Sequence, residues 1–390
     1  RDNHPDIDYI LWTGDIPPHD IWSQTRDSQL ELINVTRDSQ LELINVVGSL
    51  LDQYFGHIPI YPVVGNHESL PMNSFPQPTA EIENKYTKSW LYDKLSESWL
   101  RWLPLETQAT IEKGAFFAAR PKSGLKIISL NTNFCNNQNW WILLNSTDPG
   151  DQLQWLIKQL TESEELGEMV QILGHVPPGS SDCIQMWSRN YNSIINRFAH
   201  IIKGQFFGHT HNDEFEIFYE DVTPRTDQTF FYDKTYKATN VAYIGPSITT
   251  FGNVNPGYRI YTVDPYSFDL LDHETFFLNL TAANGHRNSQ QLQFEKSYSA
   301  KKAYGLKNLS AAEWHKLVMR MRTPRSSEDR VNGAVQTAER LFQQFYRYFY
   351  NRSDNVGDNR CDDESCKYEI LCRLVTALSQ DTSICRHFLM

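Results

Sequence analysis

The chain is 390 residues long, 40% apolar and 13% aromatic, enough to bury one large α/β core and a smaller unit. Its formal net charge of −11 at pH 7 excludes the basic surface that nucleic-acid binding needs and disfavours simple adhesion to anionic lipid at neutral pH. The twelve histidines temper the second exclusion, because protonating all of them would bring the charge to about +1 in an acidic compartment.

In chain order, the apolar residues 9–12 predict a strand that ends at Gly14-Asp15. Residues 25–35 recur without a difference at 36–46. Eleven residues are almost three helical turns, so one helix absorbs both copies, with Leu30, Leu32 and Ile33 facing nearly as Leu41, Leu43 and Ile44 do. Such identity is the mark of a recent duplication or a sequence-assembly error, and no function is built on it. Residues 58–64 predict a second strand before Gly65-Asn66-His67-Glu68. A helix over 151–160, with Leu153, Leu156, Ile157 and Leu160 at helical spacing, leads into a strand at 170–173 and then Gly174-His175. Phe206-Phe207 precede Gly208-His209-Thr210-His211.

Continuous apolar runs suit strands buried on both faces of an α/β sheet, and ligands gather at the carboxyl ends of such strands. Runs at 240–244, 258–263 and 275–280 predict a second sheet packed on the first. Beyond residue 298 the pattern turns helical. Ser310-Ala311-Ala312-Glu313 reads as a capping box opening a helix that Pro324 closes. Leu341, Phe342, Phe345, Tyr346 and Phe349 form a helical stripe expected to pack inward rather than face lipid. These patterns divide the chain into a catalytic α/β domain over 1–298 and a helical domain over 299–390.

The residue types fit metal-assisted phosphoester chemistry. A carboxylate such as Asp15 can bridge two divalent cations, while imidazoles and an amide oxygen complete each shell without adding charge. Two cations about 3.5–4 Å apart can hold phosphoryl oxygens and a water for in-line attack. His209 and His211 project to one side of an extended segment, whereas the adjacent Asn66 and His67 diverge. Asn66 can therefore face a metal while His67 points to the substrate as a general acid.

Several segments resemble the acid sphingomyelinases of the calcineurin-like metallophosphoesterase superfamily. They are Trp12-Thr13-Gly14-Asp15-Ile16-Pro17-Pro18-His19-Asp20, Val64-Gly65-Asn66-His67-Glu68-Ser69 and Ser129-Leu130-Asn131-Thr132-Asn133-Phe134-Cys135. Asn145-Ser146-Thr147-Asp148-Pro149, Gly208-His209-Thr210-His211, Asn255-Pro256-Gly257-Tyr258-Arg259 and the cysteine-bearing tail continue the likeness over nearly the whole chain. The resemblance implies a two-sheet α/β sandwich with a C-terminal helical, disulfide-bonded domain. It implies hydrolysis of sphingomyelin to ceramide and phosphocholine at a centre of two zinc ions. Asp15 would bridge them, Asn66, His175 and His209 would complete one site, and His211 would serve the other. His67 would protonate the leaving alkoxide, with His19 as a second acid or hydrogen-bonding candidate. A purple acid phosphatase is disfavoured, because Pro18 stands where a tyrosinate is expected.

By the same resemblance Trp140, Trp141 and Phe251 lie near the choline end of the substrate. The two tryptophans either cage a quaternary ammonium or are simply buried. Cys135 would pair with Cys183, Cys361 with Cys366, and Cys372 with Cys385, although six cysteines alone permit fifteen pairings. Sequons at Asn145, Asn279, Asn308 and Asn351 mark expected glycosylation, and one at Asn34 exists only through the repeat junction. Even cysteines and sequons fit a secreted or lysosomal enzyme acting on sphingomyelin-bearing membranes or lipid particles, with no transmembrane segment.

The family's first motif, an Asp-x-His on an earlier strand, is expected upstream of Arg1, with a saposin-like segment before it. Asp2-Asn3-His4 imitates that motif but lies tens of ångströms from Asp15 at about 3.3 Å per extended residue. The expectation is that one of the two zinc sites is incomplete in this chain, leaving it weak or inactive by itself. The alternatives are a sphingomyelinase-like phosphodiesterase acting on nucleotides or other small diesters, and a non-catalytic secreted lipid-binding protein.

Overall fold

Two short strands, β1 (Ile10–Trp12) and β2 (Ile60–Pro62), run parallel with Leu11 opposite Tyr61 and carry the first two motifs at their ends. They belong to a computed structural model that describes residues 4–17, 26–77, 88–223, 234–285, 292–322, 334–355 and 361–390, with the backbone alone for 26–39 and 334. Asp2, His19 and Pro324 lie outside the described residues, as does the side chain of Asn34. The chain divides into two compact units, Arg1–Tyr191 with Gln205–His209, and Asn192–Gly204 with Thr210–Met390.

In the first unit, α1 (Arg26–Phe55) is a single helix that runs through both copies of the repeat, as the eleven-residue spacing requires. The helices α2 (Ser89–Trp99) and α3 (Gln108–Gly114) follow. The strands β3 (Phe117–Lys122) and β4 (Leu125–Ser129) pair antiparallel, α4 (Gln152–Leu166) crosses over, and β5 (Met169–Leu173) returns parallel to β4. α5 (Gln185–Arg197) begins in this unit and β6 (Ile202–Phe207) ends in it, where the carbonyl of Phe206 accepts from Gly174 N–H at 3.0 Å. All five residues of β4 are buried, which is why its sequence shows no alternation. Helix α4 buries Leu153, Leu156 and Leu160 and ends at Gly167, whose φ of 68° allows its N–H to close the last turn.

In the second unit, β7 (Glu214–Asp221) pairs antiparallel with β8 (Tyr236–Ile244). A separate antiparallel sheet is built from β9 (Gly257–Val263), β10 (Leu270–Phe277) and, beyond α6 (Leu280–Gly285), β11 (Glu295–Ser299), with β10 in the middle. The strand expected at 275–280 is thus displaced, and Leu280 begins a helix. The helices α7 (Ala300–Tyr304), α8 (Ala311–Met321), α9 (Ala334–Phe349), α10 (Glu364–Leu374) and α11 (Ser383–Leu389) complete the unit.

The units do not part near residue 298. The reason is a core shared by strands and helices: Phe215 on β7 packs against Trp314 of α8 at 4.4 Å and Phe345 of α9 at 6.0 Å between ring centroids. Phe342, Phe345, Tyr346 and Phe349 of the stripe are buried there. Beside them Asp213 accepts from Tyr298 Oη at 2.6 Å and Thr275 Oγ1 at 2.8 Å and pairs with the buried Arg259.

Two local expectations are corrected. Ser310 does sit at the N-cap of α8, but its side chain makes no cap bond, and Glu313 accepts instead from Lys307 N–H at 3.0 Å and pairs with Lys316. Asn351, expected to carry a glycan, is 1% exposed and spends its amide nitrogen on the Asn255 carbonyl, leaving no room for a sugar. The sulfurs are joined as Cys135–Cys183, Cys361–Cys366 and Cys372–Cys385. Among the described residues no helix is long and apolar enough to cross a membrane.

Candidate metal centre

Each ligand candidate of the first unit follows a strand through a tight backbone turn. Gly14 adopts φ 91° and Asp15 φ 66°, so the chain folds back at the end of β1. A Cβ on Gly14 would sit 2.6 Å from the amide nitrogen of Gly65, and one on Gly65 would strike the Asp15 carboxylate. Only paired glycines let these two strand ends touch. His175 follows β5, its amide donating to Thr132 Oγ1 at 2.9 Å, and Gly208 N–H donates to the carbonyl of His175 at 3.0 Å. His209, with φ 73°, turns in at the end of β6.

Four side-chain atoms converge there. His175 Nε2 lies 3.0 Å from Asp15 Oδ2 and 2.9 Å from Asn66 Oδ1. His209 Nδ1 lies 3.1 Å from Asn66 Oδ1 and 3.3 Å from His175 Nε2. Such separations are the edges of a coordination shell with ligand bonds of about 2.0–2.2 Å. Asp15, His175 and His209 form a grouping able to hold a metal ion, and Asn66 Oδ1 supplies a fourth atom.

The outer atoms of the rings decide what the inner ones offer. His175 Nδ1 meets the carbonyl oxygen of Thr13 at 2.6 Å, and His209 Nε2 meets Asp182 Oδ2 at 2.9 Å. Both partners can only accept, so each neutral ring keeps its proton outside and turns a lone pair inward. With the ring protons held outside, four acceptor atoms face one another, an arrangement that fits a divalent metal. Burial alone would lower the affinity of His175 for a proton, yet the neighbouring Asp15 raises it overall. Burial opposes ionisation of Asp15 too, but His175 holds its carboxyl well below the usual range.

Two positions that support this centre have no motif role in the sequence. Glu68, buried to 2% exposure, accepts from the backbone N–H of Gly65 at 2.6 Å, Ile16 at 2.6 Å and Asp15 at 3.3 Å, clamping the ends of β1 and β2 together. Burial, aided by the charge of Asp15, pushes its carboxyl up to about 7. Asp182, in the loop before Cys183, holds His209. The clue to Asp182 was its neighbour in a disulfide; the clue to Glu68 was its place three residues after Gly65.

The remaining candidates fall in several places. His67 is buried, and its amide donates to Asp15 Oδ1 at 3.0 Å. Asn66 is fixed by Asn73, whose Oδ1 accepts from Asn66 Nδ2 at 2.9 Å, and Asn73 in turn donates to Gln138 at 2.7 Å. Trp140 is 78% exposed, whereas Trp141 donates from Nε1 to Ser74 Oγ at 3.0 Å. His211 belongs to the second unit, where Nδ1 lies 3.2 Å from the carbonyl of Phe251, itself 53% exposed.

Sequence comparison gives the class of protein to which this candidate metal site belongs. The family model of calcineurin-like phosphoesterases matches residues 2–213, and the chain belongs to that family. The model of the acid sphingomyelin phosphodiesterase C-terminal region matches residues 235–385. The chain is 40% identical over 389 residues to sphingomyelin phosphodiesterase of Homo sapiens, covering 98% of this chain and 54% of that protein. It is 35% identical over 374 residues to sphingomyelin phosphodiesterase B of Dictyostelium discoideum, covering 95% and 52%. Acid sphingomyelinase-like phosphodiesterase 3b of Homo sapiens is 31% identical over 385 residues, covering 96% and 74%. The chain thus spans about half the length of the first two relatives.

Proposed function

We propose that the protein is a divalent-metal phosphoric diester hydrolase that converts sphingomyelin to ceramide and phosphocholine, acting on lipid surfaces in a lysosomal or extracellular setting. The observation that carries the metal chemistry is the convergence of Asp15 Oδ2, Asn66 Oδ1, His175 Nε2 and His209 Nδ1, with the outer ring nitrogens already engaged. The lipid substrate rests on the relatives, two of which are named sphingomyelin phosphodiesterases.

When bound, the divalent metal supplies Lewis acidity toward the phosphoryl oxygens and the attacking water. Zinc is the family's metal, and the mixed imidazole, carboxylate and amide set suits it. Asp15 brings the negative charge, while Asn66 and the neutral imidazoles hold position without cancelling that acidity. His211 is assigned to a second cation. His67, next in sequence to Asn66 and buried, is assigned the proton that goes to the departing alkoxide oxygen as the phosphorus–oxygen bond breaks. Thr13 and Asp182 keep the ring protons outside the centre, so the lone pairs stay directed inward.

The second reading, a phosphodiesterase of nucleotides or other small diesters, has support from the 31% identity to a sphingomyelinase-like phosphodiesterase. Parallel assays on sphingomyelin micelles and nucleotide diesters separate the two. Release of ceramide and phosphocholine in equal amounts, at a low rate for this chain by itself, abolished by a chelator and restored by a divalent cation, is the expected result. Turnover of nucleotide diesters alone would replace the lipid assignment.

A further inference from the structure

The loop that follows His175 is stapled to the segment that follows β4. Cys183 is bonded to Cys135, Asn137 N–H donates to the carbonyl of Asp182 at 2.6 Å, and Ile184 N–H donates to the carbonyl of Cys135 at 2.7 Å. Asp182 N–H is itself taken by Ser180 Oγ at 3.2 Å. The backbone of Asp182 is therefore held on both sides by contacts that do not involve its carboxylate. The carboxylate makes one specific contact, with His209 Nε2 at 2.9 Å, although 41% of the side chain remains exposed. An acid this accessible to water gains little from folding by itself. Its geometry makes sense as a support for the ring.

We propose that Asp182 is the positioning residue of His209: its carboxylate fixes the ring proton on Nε2 and aims the Nδ1 lone pair at the cation shared with Asp15, Asn66 and His175. The Cys135–Cys183 bond then serves the metal centre as well as stability, because it fixes the loop from which Asp182 reaches. This rests on the metal reading proposed above. His175 shows the same device in another form, with the backbone carbonyl of Thr13 in place of a carboxylate. Outer partners of this kind orient a histidine ligand and raise its basicity.

The test uses the metal-stripped protein titrated with Zn2+ by calorimetry and with Co2+ by its visible absorption. In Asp182→Asn the side chain keeps its size but loses its charge, and its amide nitrogen can donate to Nε2 and drive the ring proton onto Nδ1. A fall of about tenfold to a hundredfold in cation affinity is expected, with a changed Co2+ spectrum and an unchanged thermal midpoint of the metal-free protein. Asp182→Ala should show a similar loss, since it also removes the acceptor, while Ser181→Ala on the exposed neighbouring position should leave affinity alone. Wild-type affinity and an unaltered Co2+ spectrum in both Asp182 variants would overturn the proposal while leaving the metal centre standing. A wild-type protein that takes up neither cation would overturn both.

Discussion

His175 presents Nε2 to Asp15 Oδ2 at 3.0 Å, joining the end of β5 to the end of β1 across 160 residues of sequence. Asp15 brings negative charge to the candidate site, and losing either member removes a proposed ligand. Asp15→Asn and His175→Ala should therefore each lower cation affinity by more than the roughly hundredfold that an outer partner costs. Elemental analysis after dialysis, together with turnover, checks this. Full metal content in both variants would mean that the ion sits elsewhere.

Glu68 accepts three backbone N–H groups that no other group in the clamp can take. Glu68→Ala should destabilise the metal-free protein by about 3 kcal/mol, since each orphaned buried donor costs roughly 1–3 kcal/mol. Urea unfolding measures it. A change below about 1 kcal/mol would show that water replaces the carboxylate without cost.

For His67 the account separates binding from proton transfer. His67→Ala should retain its cations yet lose about a hundredfold to ten-thousandfold in turnover, the usual range for a general acid. Loss of the metal instead would make His67 a ligand.

In the second unit His273 is buried, its ring parallel to Trp314 at 6.0 Å, and its Nδ1 has no hydrogen-bond partner among the described residues. Burial, and then the charge of Arg259, push it well below the ordinary histidine value. The unfolded chain thus takes up a proton near pH 6.5 that the folded chain refuses. Stability is unaffected above that pH and falls as pH drops below it, by up to about 1.4 kcal/mol per pH unit until the lowered folded value is reached. His273→Phe, which keeps a ring in the stack, should flatten the pH dependence of the thermal midpoint between about pH 6.5 and 5. An unchanged slope would contradict a neutral His273.

The convergence of Asp15, Asn66, His175 and His209 was legible because each follows an apolar strand directly and sits beside a glycine, as at Gly14-Asp15 and Gly65-Asn66. The supports were not. Glu68 clamps a strand end far from it in sequence, and Asp182 reaches His209 only after the Cys135–Cys183 bond has placed its loop, so local pattern carries neither role. β10 was misplaced because its earlier buried positions include His273, which a hydropathy pattern reads as surface. The compact units differ from a division at 298 for a related reason: aromatic side chains from β7 and β8 share their core with α8 and α9, and a change from strands to helices in sequence does not mark a change of core.

The most direct test of the account is the anomalous diffraction of a crystal of this protein grown with zinc. The prediction is a strong peak coordinated at about 2.0–2.2 Å by Asp15 Oδ2, Asn66 Oδ1, His175 Nε2 and His209 Nδ1. A zinc-bound crystal with no peak among those four atoms, or with the ion held by other residues, would contradict it.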